Sequence, residues 1–160
     1  MHKKILLTLL IIIILAAASS AQEAKPIQVA LLNPIQIFNE NTEIAGVRIN
    51  LLYGKNRSVS GLDWGLVNHT TTGVSKGLGW GFINLTEDSF VGWQDGFVNN
   101  VKGNFEGFQS GFVNIAHNCS GFQLGIVNYA HNMNGLQIGL VNIIKQNGQF
   151  PVFPIVNWSF

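Results

Sequence analysis

Gly107-Phe108-Gln109-Ser110-Gly111-Phe112-Val113-Asn114 returns with few changes in the next two copies, which end at Asn128 and Asn142. Three earlier copies complete a repeated unit that reads G-[FLW]-x-x-G-[FLI]-[VI]-N. Turn-forming residues such as Asn, Ser, Gly and Thr separate the copies, and the changes in length fall there. So short and regular a period indicates one supersecondary unit that is copied and stacked.

The last residue of the unit is its most regular feature, because Asn recurs at intervals of 16, 15, 15, 14, 14 and 15 residues. The repeat asparagines are Asn68, Asn84, Asn99, Asn114, Asn128, Asn142 and Asn157. The glycines three residues before the first six are Gly65, Gly81, Gly96, Gly111, Gly125 and Gly139. Two glycines and a β-branched or other apolar residue in each unit disfavour a helix, so the sequence predicts an all-β fold.

The chain divides into three parts. In residues 1–21, two lysines precede an apolar run from Ile5 to Ala18 and then small residues, which is typical of a signal peptide cleaved after Ala21. The apolar run is shorter than the roughly 20 residues that a membrane-spanning helix requires. Residues 22–60 are predicted to form N-terminal strands that lead into the repeats, and residues 61–160 a repeat domain with a C-terminal cap. We therefore expect export through the secretory pathway to the cell surface, outer membrane or periplasm.

Charged side chains are few and unevenly distributed. Beyond residue 21 the chain has seven Lys or Arg against eight Asp or Glu, which gives no basic surface for nucleic acid. From Gly107 to Phe160 the only charged side chain is Lys145. Such a segment is covered by a partner or a membrane, or Asn, Gln and Ser keep it hydrated.

Two all-β architectures fit the repeat. In a parallel β-solenoid or β-roll each unit of 14–16 residues forms one coil, and every Asn lies above the previous one at about 4.8 Å. Stacked asparagines can then hydrogen-bond along the axis. We expect Phe97, Phe112, Ile126 and Leu140 to stack likewise as a column in the core. The solenoid is favoured because coils that all run in one direction explain an identical Asn in every unit.

The alternative is an antiparallel meander or a small outer-membrane β-barrel, with one strand for each unit. The ending Phe153-Pro-Ile-Val-Asn-Trp-Ser-Phe160 carries alternating apolar residues and a terminal Phe, as bacterial outer-membrane barrels do. A strand through Gly107–Ala116, however, has no face that is cleanly apolar, which disfavours contact with lipid. In the solenoid the same ending forms an atypical terminal cap.

The segment Gly135-Leu-Gln-Ile-Gly-Leu-Val-Asn-Ile-Ile144, together with the ending Pro151–Phe160, resembles a family of bacterial surface-repeat proteins of the leptospiral type. The resemblance extends over about Pro34–Phe160. It implies an exported repeat protein at the cell surface or outer membrane, and it brings no known activity.

The sequence predicts no catalytic residues, no cofactor site and no metal site. His117 and His131 occupy the same position in successive repeats, but two ligands without a carboxylate make a poor metal site. The carboxylates of Asp63 and Asp95 lie at different offsets from their glycines, so they form no row. Cys119, the single cysteine, is expected to be an ordinary turn residue.

These observations favour a protein that is not an enzyme and has a structural or interaction role. We expect its uncharged face, rich in Asn and Gln, to contact a surface partner, a glycan or another copy, with the outer membrane as a possible site of attachment. Trp64, Trp80 and Trp93 are candidates for such contacts, and the alternative is that they fill the core. The other functional hypothesis is an integral outer-membrane barrel with a structural or pore function.

Overall fold

The computed structural model describes residues 23–160, so the predicted signal peptide lies outside the described residues. Within this range every regular element is a strand. The strands are β1 (Lys25–Leu32), β2 (Ile35–Gln36), β3 (Ile44–Asn56), β4 (Val59–Thr70), β5 (Val74–Thr86), β6 (Ser89–Ile144) and β7 (Val152–Ser159). Strand β6 is long because successive coils follow one another in it without a break in the pairing.

Neighbouring coils pair in parallel. The sheet order is β2-β1-β3-β4-β5-β6-β7, and the neighbours β1, β3, β4, β5 and β6 are parallel to one another. Equivalent residues of the repeat face each other, as Asn68 faces Asn84 and Asn84 faces Asn99. This register confirms the parallel β-solenoid. It also rules out, for residues 23–160, the antiparallel meander or barrel that was the alternative.

The two ends of the solenoid differ from its middle. At the N-terminal end, β2 folds back antiparallel on β1. At the C-terminal end, β7 turns around and pairs antiparallel with the last coil, so that Gln137 faces Asn157. Each of these reversals pairs part of the terminal coil with a short antiparallel strand.

The apolar core occupies only one side of the coil, next to the turns that join the repeats. Two columns build it, one from the residue two places before the first glycine of each unit and one from the residue two places after Asn. Its members are Phe90, Val101, Phe105, Ala116, Cys119, Ala130, Met133 and Ile144. The rings of Phe90 and Phe105 stack with centroids 6.2 Å apart. Cys119 is one of these core residues, so its predicted place in a turn is wrong, and burial raises the pKa of its thiol to about 12.

Glycine at the second position of the unit is required by the closeness of successive coils. A Cβ atom on Gly111 would lie 2.0 Å from the carbonyl oxygen of Gly96 and 2.9 Å from the side-chain Nδ2 of Asn99. Because both neighbours are part of the stacked framework, a side chain there would push two coils apart.

We expect Gly111→Ala to lower the free energy of unfolding by about 1–3 kcal/mol, the usual cost of overpacking. Gly79 provides a matched control, because its Cβ would meet the nearest atoms at an ordinary 3.5 Å. Gly79→Ala should therefore be neutral or slightly stabilising. Urea denaturation followed by circular dichroism compares the two, and equal losses would contradict this account.

Candidate functional site

A column of asparagine amides lies inside the solenoid at the bend in the middle of each coil. Each Asn donates through Nδ2 to Oδ1 of the Asn in the next coil at 2.7–2.9 Å, from Asn50 to Asn142. From Asn68 to Asn128 the second hydrogen goes to a main-chain oxygen of the next coil at 2.8–3.2 Å. Both donors and the acceptor of the internal amides are thus satisfied without water.

Six of the seven predicted repeat asparagines belong to this column, whereas Asn157 does not. Asn157 lies on the antiparallel strand β7, and its Nδ2 donates to the carbonyl oxygen of Phe150 at 2.8 Å. The column begins instead with Asn50, which was not among the predicted repeat asparagines.

A second amide column runs parallel to the first, two residues after the first glycine of the unit. Gln137 donates to Gln123, Gln123 to Gln109 and Gln109 to Gln94, at 2.7–3.0 Å. In this column the later coil donates to the earlier one, the opposite of the asparagine column. The recurrence of Gln at this position was visible in the sequence, but only the structure shows that these side chains are fully buried.

The predicted contact face, rich in Asn and Gln, is wrong because these side chains are buried. The asparagines and glutamines of both columns are 0–2% exposed, so they cannot meet a partner. The outside of the coil carries apolar side chains instead. The solenoid is therefore polar in much of its interior and apolar over much of its surface.

The most exposed apolar row lies at the bend of the coil, directly after the second glycine of each unit and, in the first coil, directly after Asn50. We call this row the corner ridge, and its members are Leu51, Leu66, Phe82, Phe97, Phe112, Ile126 and Leu140. They are 38–65% exposed. Phe82, Phe97 and Phe112 stack with ring centroids 5.0 and 4.7 Å apart. The predicted stacking is correct, but the predicted placement of Phe97, Phe112, Ile126 and Leu140 in the core is wrong.

A shallow groove runs beside the corner ridge, and we call it the corner groove. Its floor is the row of second glycines, which carry no side chain and leave the main chain exposed between the two walls. Its second wall is the row Trp64, Trp80, Asp95, Ser110, Leu124 and Ile138. The groove holds cavities of about 380 Å³ between Trp64, Trp80 and Phe82 and about 420 Å³ between Phe112, Leu124 and Ile126.

All three tryptophans named as contact candidates are exposed, so the core-filling alternative is wrong. Trp64 and Trp80 belong to the groove wall. Trp93 lies further along the same face, where its Nε1 donates to Oγ of Ser110 at 3.0 Å, and the Ser110 hydroxyl donates in turn to Asp95. This chain of bonds satisfies the carboxylate in the middle of the wall.

A buried ion pair occupies the N-terminal end of the glutamine column. Arg48 donates from Nε and Nη2 to the two carboxylate oxygens of Asp63, each at 2.7 Å. The Arg48 side chain is fully buried and that of Asp63 is 9% exposed. Nη1 reaches the carbonyl oxygen of His69 at 2.9 Å. These partners give the pair a structural role inside the coil.

Around His69 the structure brings several titratable side chains together on the outer face. The Tyr53 hydroxyl lies 2.7 Å from Nδ1, and Glu87 Oε1 lies 3.3 Å from Nε2. Since a carboxylate only accepts, Nε2 carries the hydrogen and Nδ1 of the neutral ring accepts from Tyr53. Burial lowers the pKa of His69 below its usual 6.5, and Glu87 opposes this effect. A hydrogen bond from Lys102 lowers the pKa of Glu87 below 4.5.

Both shifts make the fold less stable in acid. The unfolded chain binds a proton at His69 more readily than the folded chain does, so stability falls as pH drops through 6.5 and below. The low pKa of Glu87 adds a loss as pH drops below 4.5. We expect the urea midpoint to decrease from pH 7.5 to pH 5, and His69→Gln to reduce this slope. An unchanged slope in the variant would exclude His69 as the cause.

His117 and His131 are the remaining residues that the sequence analysis considered as metal ligands. His117 and His131 stack with ring centroids 4.7 Å apart, as their shared position in the repeat predicts. Within residues 23–160 no group of three or more His, Cys, Asp and Glu side chains is arranged to hold a metal ion.

The part of the chain that the structure describes includes no helix of sufficient length and hydropathy to cross a membrane.

Comparisons with family models, characterised proteins and solved structures gave no match to this chain.

Proposed function

We propose that this chain is an exported β-repeat protein of the bacterial surface or outer membrane, without enzymatic activity, which acts as a structural or interaction module. The observation that carries the proposal is the apolar exterior of the solenoid. Isolated apolar residues on a surface need no explanation, but contiguous apolar patches mark sites of interaction with proteins or membranes. Here the apolar side chains form continuous rows along the whole array.

Two further observations support a binding role. The corner groove is a shallow channel, whereas catalytic pockets are enclosed and bring polar groups together. Its wall contains tryptophans, and Trp is among the residues that dominate binding energy at interfaces. The signal-like residues 1–21, and the resemblance of the repeats and the ending to bacterial surface-repeat proteins, support export.

The proposal is tested by expressing the full chain in a Gram-negative host. We expect a processed chain that begins at Gln22 and separates with the cell envelope. Mass spectrometry gives the N-terminus, and fractionation gives the location. An unprocessed chain in the cytoplasm, or a processed chain found only in the medium, would contradict the proposal.

The role of the apolar exterior is tested by a double substitution in the groove wall. We expect Trp64→Gln with Trp80→Gln to be washed from envelopes at a lower urea concentration than the unsubstituted chain. Lys76→Gln is the control, because this exposed side chain lies outside the groove and the ridge. Equal release of all three proteins would show that the envelope is bound in another way.

A further inference from the structure

The corner ridge and the corner groove run side by side along the solenoid, and we call the two together the corner face. We propose that this face binds a second copy of the chain, so that the corner ridge of each copy lies in the corner groove of the other. The inference rests on the proposed function, because it names the partner of the same apolar surface.

The shape of the face is self-complementary. In a two-fold interface the same patch serves both partners, so a contact of one residue with another is made twice. Here the ridge is offset sideways from the groove, and a rotation about an axis parallel to the rows exchanges their positions. Phe97 of one copy then lies over Gly96 of the other, where the glycine floor leaves room.

That axis also fixes the direction of the partner. A two-fold axis across the rows would set ridge on ridge and leave both grooves empty. Only the axis along the solenoid fills them, and it makes the two copies parallel and in register. Each ridge residue therefore lies beside its own counterpart, which places Leu66 next to Leu66 and Ile126 next to Ile126.

The size of the face is sufficient for a stable pair. The seven ridge side chains are 38–65% exposed, and at roughly 200 Å² for each large apolar side chain the ridge presents about 700 Å². The contact then covers about 600 Å² on each copy, or about 1,200 Å² in total, which is the lower limit of specific interfaces.

The distribution of charge fits an identical partner. Asp95 is the single charged side chain of the two rows that form the ridge and the wall, and Ser110 already bonds to it. The wall lies outside the paired ridges in this arrangement, so the two Asp95 side chains occupy opposite rims. Lys102, Glu87 and Glu106 lie away from the corner, next to the turns between repeats. A membrane partner would instead favour basic residues beside the apolar rows.

The first experiment measures the mass of purified residues 22–160 by light scattering during gel filtration. We expect twice the mass of one chain for the natural sequence and the mass of one chain for Phe97→Gln with Phe112→Gln. Leu85→Gln with Ile115→Gln is the matched control, because these half-buried residues belong to the other outer face. It should remain a dimer, and circular dichroism checks that all variants are folded.

The second experiment tests the register and needs no destabilising change. Leu66→Cys and Ile126→Cys are each oxidised separately, with Lys76→Cys as a control near the turns. The natural Cys119 is 3% exposed and is the same in every sample. We expect each ridge variant to form disulfide-linked dimers alone, and the control to form none. Cross-links found only when the two ridge variants are mixed would overturn the parallel register.

A natural chain that remains a monomer at 100 µM would overturn the inference, and so would a larger assembly or a dimer unaffected by Phe97→Gln with Phe112→Gln. These results leave the proposed function intact, because processing and envelope location are measured separately. A dimer in solution that is never exported would overturn the proposed function alone.

Discussion

Replacing Asp63 by Ala is expected to lower the free energy of unfolding by about 3–5 kcal/mol, because it leaves the buried charge of Arg48 without a counterion. The guanidinium loses two bonds of 2.7 Å, and its side chain has no access to solvent. Asn56 Oδ1 at 3.3 Å and the His69 carbonyl oxygen at 2.9 Å remain as neutral partners. Urea denaturation at pH 7.5 measures the effect.

Two controls separate the buried charge from a general effect of losing an ion pair. Arg57 pairs with Glu43 at 3.4 Å at the surface, and both side chains are well exposed, so Arg57→Ala should cost less than about 1 kcal/mol. The double substitution Arg48→Met with Asp63→Leu should recover most of the stability, since an apolar pair of similar volume carries no desolvation cost. A similar loss for Asp63→Ala and Arg57→Ala would contradict the explanation.

The second large effect is expected for Asn114→Ala, which interrupts the asparagine column at its centre. The change removes the acceptor of Asn99 and the donors to Asn128 and to the Leu124 carbonyl oxygen, with distances of 2.9 Å. Each buried polar group without a partner costs about 1–3 kcal/mol, so we expect a total loss of about 3–5 kcal/mol. The same denaturation experiment detects it.

An exposed amide column provides the comparison for this prediction. Asn132 donates to Asn118, and Asn118 donates to Asn104, each at 2.8 Å, on the side of the turns. Water can replace these bonds, so Asn118→Ala should cost no more than about 1 kcal/mol. If both alanine substitutions had the same small effect, burial of the asparagine column would not contribute to stability.

The direction of the coils could be predicted from the sequence because stacking requires identical residues at identical positions. One Asn in each unit satisfies this condition only when all coils run the same way. The inside and outside of the coil were harder to assign. Phe97 and Phe112 were expected in the core because large apolar residues are usually buried. The interior at the bend instead holds the asparagine and glutamine amides. Burial of these amides is tolerated because side chains that hydrogen-bond to each other along a column satisfy their own polar groups.

The first coil of the array departs from the repeat motif, although it keeps the structure of the other coils. Asn50 faces Gly65 and Gly54 faces Asn68, so the positions of Asn and Gly are exchanged in this coil. The amide still joins the column, because Asn50 donates to Asn68 at 2.7 Å. A Cβ atom on Gly54 would lie 1.7 Å from Oδ1 of Asn50, which explains the glycine. Such a compensation between two positions changes the motif but preserves the structure.

The opposite directions of the two amide columns have a consequence for the evolution of the array. The asparagine column ends in an unpaired oxygen on Asn50, and the glutamine column in one on Gln137, at the other end. The dipoles of the columns therefore oppose each other, and each added coil contributes one bond to both. Duplication of a whole unit lengthens the protein without accumulating a net dipole, and it creates no further unpaired group. The gene can thus gain or lose repeats in units of one coil while the ends stay the same.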